Sequence, residues 1–279
     1  MSLLLGAVAY DPKVVTIWDG FRRWLDRRGL AFDFVLYSNY ERQVEDLLDG
    51  RIDVAWNSPL AWVRARRLGE TAGAPVQAVA MRDTDCDLRS VVVVRADSPV
   101  GAVADLAGCV VATGAVDSPQ ATLLPLDHLR AAGVAAEVRR FDVGVGLHGD
   151  HVGGERDAAR ALLAGEVDAA CMIGGNHLAF SLEGTLPPGA TRVVGETGAY
   201  DHCNMTAGPA APRGEVDRFV ELLLGMDYAD AGVRPLLDLE GLTRWLPGRV
   251  EGYALLEAAV DASGFYDEKG EVTAAGYRP

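Results

Sequence analysis

Histidine, carboxylate and cysteine side chains gather in two short stretches of this chain. Residues 147–155 read Leu-His-Gly-Asp-His-Val-Gly-Gly-Glu, which puts His148, Asp150, His151 and Glu155 in one glycine-rich loop. Residues 200–204 read Tyr-Asp-His-Cys-Asn, which sets His202 beside Cys203. Three chemistries suit these groups. Imidazole and amide donors hold an oxyanion or polar small molecule by hydrogen bonds. Imidazole with carboxylate suits a first-row transition metal, with His148, Asp150, His151 and Glu155 as candidate ligands and His202 or Cys203 as additions. However, H-x-x-H in a glycine-rich loop is not a recognised ligand spacing. Acid–base or thiolate catalysis is the third, with His202 and Cys203 as candidates. Neighbours in an extended segment face opposite sides, so His202 is not expected to activate Cys203.

The elements that must position these groups show a repeat. Residues 47–55 read LLDGRIDVA and residues 162–170 read LLAGEVDAA. Each copy ends a helical stretch, turns on glycine (Gly50, Gly165) and enters a short apolar strand, as expected where glycine takes the left-handed conformation past a helix end. The strands run into Trp56-Asn57-Ser58-Pro59 and Gly174-Gly175-Asn176-His177. Open α/β sheets bind ligands at the carboxyl ends of their strands. Two such halves predict two lobes facing across a cleft.

Strands are expected at 3–9, 32–36, 52–56, 76–81 and 90–95, with helices at 16–28, 41–48 and 60–68 between them. After Asp97-Ser98-Pro99 the alternation restarts, with strands at 109–113, 136–142, 167–173 and 191–194 and helices at 119–132, 154–164 and 176–182. After Tyr200 the pattern turns helical. Alternation of this kind implies a mostly parallel sheet covered on both faces. Lobe one is placed at 1–95 plus 200–279 and lobe two at 96–199, with a hinge near 95 and 199.

The net charge of −14 argues against nucleic acid and anionic membrane as partners. Lys13 and Lys269 are the only lysines, so the basic residues are otherwise arginine. Cys86, Cys109, Cys171 and Cys203 form no C-x-x-C pair; Cys109 and Cys171 lie in apolar runs and read as buried thiols. No apolar run is long enough to span a bilayer, and no leader precedes the first strand, which points to the cytoplasm for a full-length chain or to an extracytoplasmic site if a leader was removed. Trp24 and Trp62 read as core, while Tyr10, Tyr40 and Trp56 lie where strands end. Asp85-Cys86-Asp87 reads as a turn.

The chain resembles the phosphate/phosphite/phosphonate-binding components of ABC transporters, of the two-lobed type 2 periplasmic binding protein fold. Tyr37-Ser38-Asn39-Tyr40-Glu41-Arg42-Gln43 resembles the loop before the second helix, where an aromatic residue borders the ligand. Asp53-Val54-Ala55-Trp56-Asn57-Ser58-Pro59 resembles the strand and turn that follow, Asp105-Leu106-Ala107-Gly108 the entry to lobe two, and Leu242-Thr243-Arg244-Trp245-Leu246-Pro247 with Tyr253 the C-terminal segment. The resemblance implies an α/β fold that closes by hinge motion on a small polar or anionic ligand, an ABC permease as partner and no cofactor; the histidine and carboxylate cluster itself keeps a metal as the alternative. Some relatives of this fold are cytoplasmic enzymes, so an enzyme using the same cleft is the alternative function. Where the family has a Ser/Thr-rich anion loop opening a helix, this chain has Thr113-Gly114-Ala115-Val116-Asp117-Ser118-Pro119-Gln120-Ala121-Thr122. Ser118 before Pro119 is a good helix cap, and a helix start favours an anion; Asp117 beside it would repel one unless paired. The residues expected to meet the ligand are Tyr10, Tyr40, Asn57, Ser58, Thr113, Asp117, Ser118, Gln120, His148, His151, Asn176 and Asp201.

Overall fold

Two mixed sheets, each covered by helices on both faces, carry the chain; the computed structural model describes residues 2–142 and 151–277. The first sheet holds β1 (Leu3–Val8), β2 (Phe32–Tyr37), β3 (Val54–Asn57), β4 (Gln77–Arg82), β10 (Asn204–Ala207) and β11 (Trp245–Pro247), in the order β11-β4-β10-β3-β1-β2. The second holds β5 (Ser90–Arg95), β6 (Val110–Thr113), β7 (Glu137–Arg140), β8 (Ala169–Ile173) and β9 (Thr191–Glu196), in the order β7-β6-β8-β5-β9. In the first sheet β10 and the edge strand β11 run against the other strands, and in the second β5 runs against β8 and β9. The sequence division puts 90–95 in lobe one, whereas β5 pairs inside the second sheet.

Alternation within β1 sends Leu3, Leu5 and Ala7 into a core shared with α1 (Lys13–Asp26), α7 (Arg213–Leu224) and α8 (Arg234–Glu240). The opposite face packs on α2 (Tyr40–Leu48), α3 (Pro59–Thr71) and α9 (Ala254–Ser263), with Trp62 1% exposed. On the second sheet α5 (His151–Leu163) and α6 (Gly174–Glu183) cover one face, and α4 (Leu124–Ala131) covers the other. Trp24 lies in the core as expected, and so does Cys171, whereas Cys109 is only half-buried.

The repeat is structural. Gly50 and Gly165 take positive φ of 70° and 73°. Asp53 Oδ2 accepts from the Leu4 N–H at 2.8 Å, and Asp168 Oδ2 accepts from the Val110 N–H at 2.8 Å. Each aspartate thereby fixes the start of its own strand to the neighbouring parallel strand, which explains why the motif carries aspartate after the turn. β10 and β11 were not expected. β10 reads Asn-Met-Thr-Ala, and its polar side chains are fully buried, so apolar periodicity gives it no signal.

The chain passes between the sheets twice, at 83–89 and 197–203. The two passages pair with each other: the Leu88 N–H donates to Tyr200 O at 2.8 Å, and the His202 N–H to Asp85 O at 2.8 Å.

Candidate functional site

A cavity of about 270 Å³ opens between the sheets. The first sheet and its helices supply Tyr10, Lys13, Tyr40, Glu41, Trp56, Ser58, Pro59, Leu60, Ala61 and Arg82; the return passage supplies His202 and Cys203. The second sheet supplies Asp117, Pro119, Gln120, His151 and Val152, and the C-terminal segment Tyr266 and Tyr277.

Strand ends and helix starts place these groups. Asn39 caps α2, its side chain accepting from the Arg42 N–H, and so puts Tyr40 at the cavity. Ser58 caps α3 by accepting from the Ala61 N–H at 3.2 Å, with Pro59 following. Ser118 does the same across the cleft, accepting from the Ala121 N–H at 3.1 Å ahead of Pro119, where a π-helical turn at 119–123 leads into α4. Each Ser-Pro step leaves an N-terminal helix turn at the cavity. Asp117 lies 3.4 Å from His151 Nε2, so the carboxylate that would repel an anion faces an imidazole.

Six of the expected residues line this cavity: Tyr10, Tyr40, Ser58, Asp117, Gln120 and His151. Asn57, Thr113, Ser118, Asn176 and Asp201 do not. Asn57 is buried beneath it in a hydrogen-bonded chain: Gln43 Nε2 donates to Asn57 Oδ1 at 2.8 Å, Asn57 Nδ2 to Thr206 Oγ1 at 2.8 Å, and Thr206 Oγ1 to Asn204 Oδ1 at 2.7 Å. The chain continues from Asn204 Nδ2 to the Tyr253 hydroxyl and on to the His202 carbonyl. Thr113 is buried in the second sheet, and the Ser118 hydroxyl is taken by its own helix turn. Asp201 is fully buried and locked by Arg249 Nε and Nη2 at 2.6 Å each, with the Asp87 N–H at 3.1 Å. Asn176 donates to Glu155 Oε2 at 2.8 Å.

Of the four candidate metal ligands in the glycine-rich stretch, His148 and Asp150 lie outside the described residues. Glu155 is fully buried and accepts from the Ile173 N–H and Asn176 through Oε2, an arrangement that ties α5 to the start of α6. Burial pushes its pKa up to about 7 against these hydrogen bonds.

The expectation that His202 and Cys203 face apart fails. Residues 201–203 precede β10 and are not extended strand, and His202 Nδ1 lies 3.1 Å from Cys203 Sγ. The same nitrogen lies 3.4 Å from Asp85 Oδ1, so a single atom meets both thiol and carboxylate. A nucleophile–base–carboxylate relay needs one ring nitrogen for each partner. Burial and the nearby Asp85 carboxylate push the Cys203 thiol well up, away from the thiolate. Asp85, read in the sequence as part of a turn, is 1% exposed and held by the Arg82 fork, Nε to Oδ2 at 2.5 Å and Nη2 to Oδ1 at 2.9 Å. Burial opposes its charge, yet Arg82 and His202 hold its pKa down at about 2. Arg82 also donates to the Glu240 carbonyl at 2.8 Å and lies 5.1 Å over the Trp56 ring. Sequence reasoning missed Arg82, Glu41 and the C-terminal tyrosines; Arg82 at the very end of β4 was the signal available.

Residues 7–253 match the family described as the periplasmic substrate-binding protein of phosphonate ABC transporters. No curated protein matches the chain in sequence. Among solved structures, PhnD1 from Prochlorococcus marinus in complex with methylphosphonate superposes with a TM-score of 0.70 at 16% identity, over 95% of this chain and 99% of that one. A Xanthomonas citri protein bound to ATP gives 0.70 at 18% identity, over 94% and 97%. The aliphatic sulphonate binding protein SsuA of Escherichia coli gives 0.56 at 21% identity, over 96% and 92%. These likenesses establish the two-lobed periplasmic binding protein fold.

Proposed function

Because the chain belongs to the periplasmic substrate-binding proteins of phosphonate ABC transporters, we propose that its cleft takes up one small phosphonate-type oxyanion and presents it to a permease. The observation that carries this reading is the pair of Ser-Pro helix starts, one from each side, opening on the same cavity. Proline has no N–H, and each serine hydroxyl takes the N–H of the third residue. The N–H groups of Leu60 and Gln120 are then the first-turn donors for an anion, aided by two helix dipoles. Lys13 adds a cation at the cavity, and the His151 ring faces Asp117. Glu41 Oε2 is buried with no hydrogen-bond partner among the described residues, while its Oε1 accepts from the Tyr277 hydroxyl at 2.7 Å. A ligand whose second end carries a donor suits that wall.

Such a ligand touches both lobes and favours the closed arrangement in proportion to its better contacts there. The lobes are taken as 1–95 with 200–279 and 96–199, apart from β5, and the paired passages at 83–89 and 197–203 serve as the hinge. No helix among the described residues is long and apolar enough to cross a membrane. The enzyme alternative gains no support, because His202 offers one nitrogen to both partners.

Thermal unfolding with methylphosphonate, phosphate and methanesulfonate tests this reading. At a hundredfold excess over Kd, the phosphonate is expected to stabilise the chain by about 2.7 kcal/mol, and the singly charged sulfonate by less. No shift with any of the three would refute it.

A further inference from the structure

We propose that Asp85, His202 and Cys203 bind one divalent transition-metal ion of the zinc or cobalt type in the wall of the cleft. Their ligand atoms lie within 4.8 Å of one another, and the three come from the two passages between the sheets. The Nδ1···Oδ1 separation of 3.4 Å is close to the edge of a tetrahedron with bonds of about 2.0–2.1 Å, and the Nδ1···Sγ separation of 3.1 Å opens by a few tenths of an ångström to fit a zinc–sulfur bond.

Asp85 and Cys203 compete for one nitrogen of His202. If Nδ1 carries a proton, it serves Asp85 or Cys203 but not both fully. If it carries a lone pair, that lone pair faces the Asp85 carboxylate. A cation at the point of convergence answers all three lone pairs at once. His202 Nε2 is buried without a hydrogen-bond partner among the described residues, so the other side of the ring does not fix its orientation.

The surroundings balance the charge. Arg82 sets one cation against the carboxylates of Asp85 and Glu240, a net charge of −1 when both are ionised. Metal binding converts the Cys203 thiol to thiolate and releases its proton to solvent, so the divalent ion adds one net positive charge. Arg82 bonds the carboxylate that ligates, the kind of outer contact that orients a metal ligand. Three protein ligands leave a coordination position open, and His202 and Cys203 line the cavity, so the ion would meet whatever the cleft holds.

The site does not depend on the oxyanion reading, and its test uses the metal alone. Cobalt(II) is titrated into the reduced full chain without oxyanions, and the thiolate-to-cobalt band in the near ultraviolet is followed. One equivalent is expected to saturate the band. Cys203→Ser should abolish the band, His202→Ala should weaken binding at least tenfold, and Cys109→Ser should change neither. No saturable uptake, or a band that survives Cys203→Ser, overturns the proposal.

Discussion

Replacing Arg82 with alanine is expected to destabilise the fold by about 3–5 kcal/mol, the cost of breaking a buried ion pair from one side. Its guanidinium pairs with Asp85 at 2.5 Å and Glu240 at 3.4 Å, and those carboxylate residues are 1% and 7% exposed. Without Arg82 both are left in a poorly solvated wall, and the Trp56 ring loses the cation above it. Burial already pushes Glu240 up to about 7 despite Arg82. The penalty should therefore be larger at pH 8 than at pH 5, where Glu240 is protonated. Arg218→Ala is the matched control: its 2.7 Å pair with Glu221 is exposed, and pairs of this kind contribute about 0–1 kcal/mol. Urea unfolding of both variants checks the contrast. Equal stability losses in the two would show that the Arg82 pair is not buried in the sense described.

The second large effect is a change in pH dependence. Glu155 titrates near 4.5 when unfolded and at about 7 when folded. The folded chain therefore binds more protons between those values. The stability this gives is fully present below about 4.5, is lost as pH rises through about 7, and is gone above that. A shift of this size corresponds to a swing on the order of 3 kcal/mol. Glu155→Gln removes the titration while keeping an acceptor for the Ile173 N–H and Asn176. Its amide also adds a donor where Gln120 Oε1, on a side chain that lies against Glu155, is buried without a partner among the described residues. The variant should match wild type near pH 4.5 and exceed it near pH 8, the residual slope coming from Glu240. Denaturant midpoints across that range decide it, and parallel curves for the two proteins would contradict the assignment.

What the sequence reveals of this molecule depends on whether the physics is local. The two LLxGx(I/V)DxA copies are readable because both of their devices are local to the turn: a left-handed glycine that ends the helix, and an aspartate at the strand's start that bonds the neighbouring strand's N–H. The two Ser-Pro caps are readable for the same reason. β10 is not, because its buried Asn204 and Thr206 are satisfied by Asn57 and Tyr253, far away in sequence. Asp85 looks like a turn residue until Arg82, Glu240 and His202 are brought to it by the fold. Asn57 and Asp201 sit in segments whose neighbouring residues line the cavity, yet their own side chains point into polar networks beneath it. Position along a strand end is legible, whereas the side a polar group faces depends on partners that only the folded chain supplies.

The central claim is that one oxyanion bridges the helix starts at Ser58 and Ser118. Calorimetric titration of methylphosphonate into wild type, Ser58→Asp and Gln120→Glu tests it most directly. Aspartate still caps a helix, so the first variant adds a negative charge at one helix start without removing its cap; the second adds one at the other. The account predicts a single saturable site in wild type and at least tenfold weaker binding in each variant, about 1.4 kcal/mol or more. Wild type without saturable binding, or an affinity unmoved by a charge on either side, would contradict it.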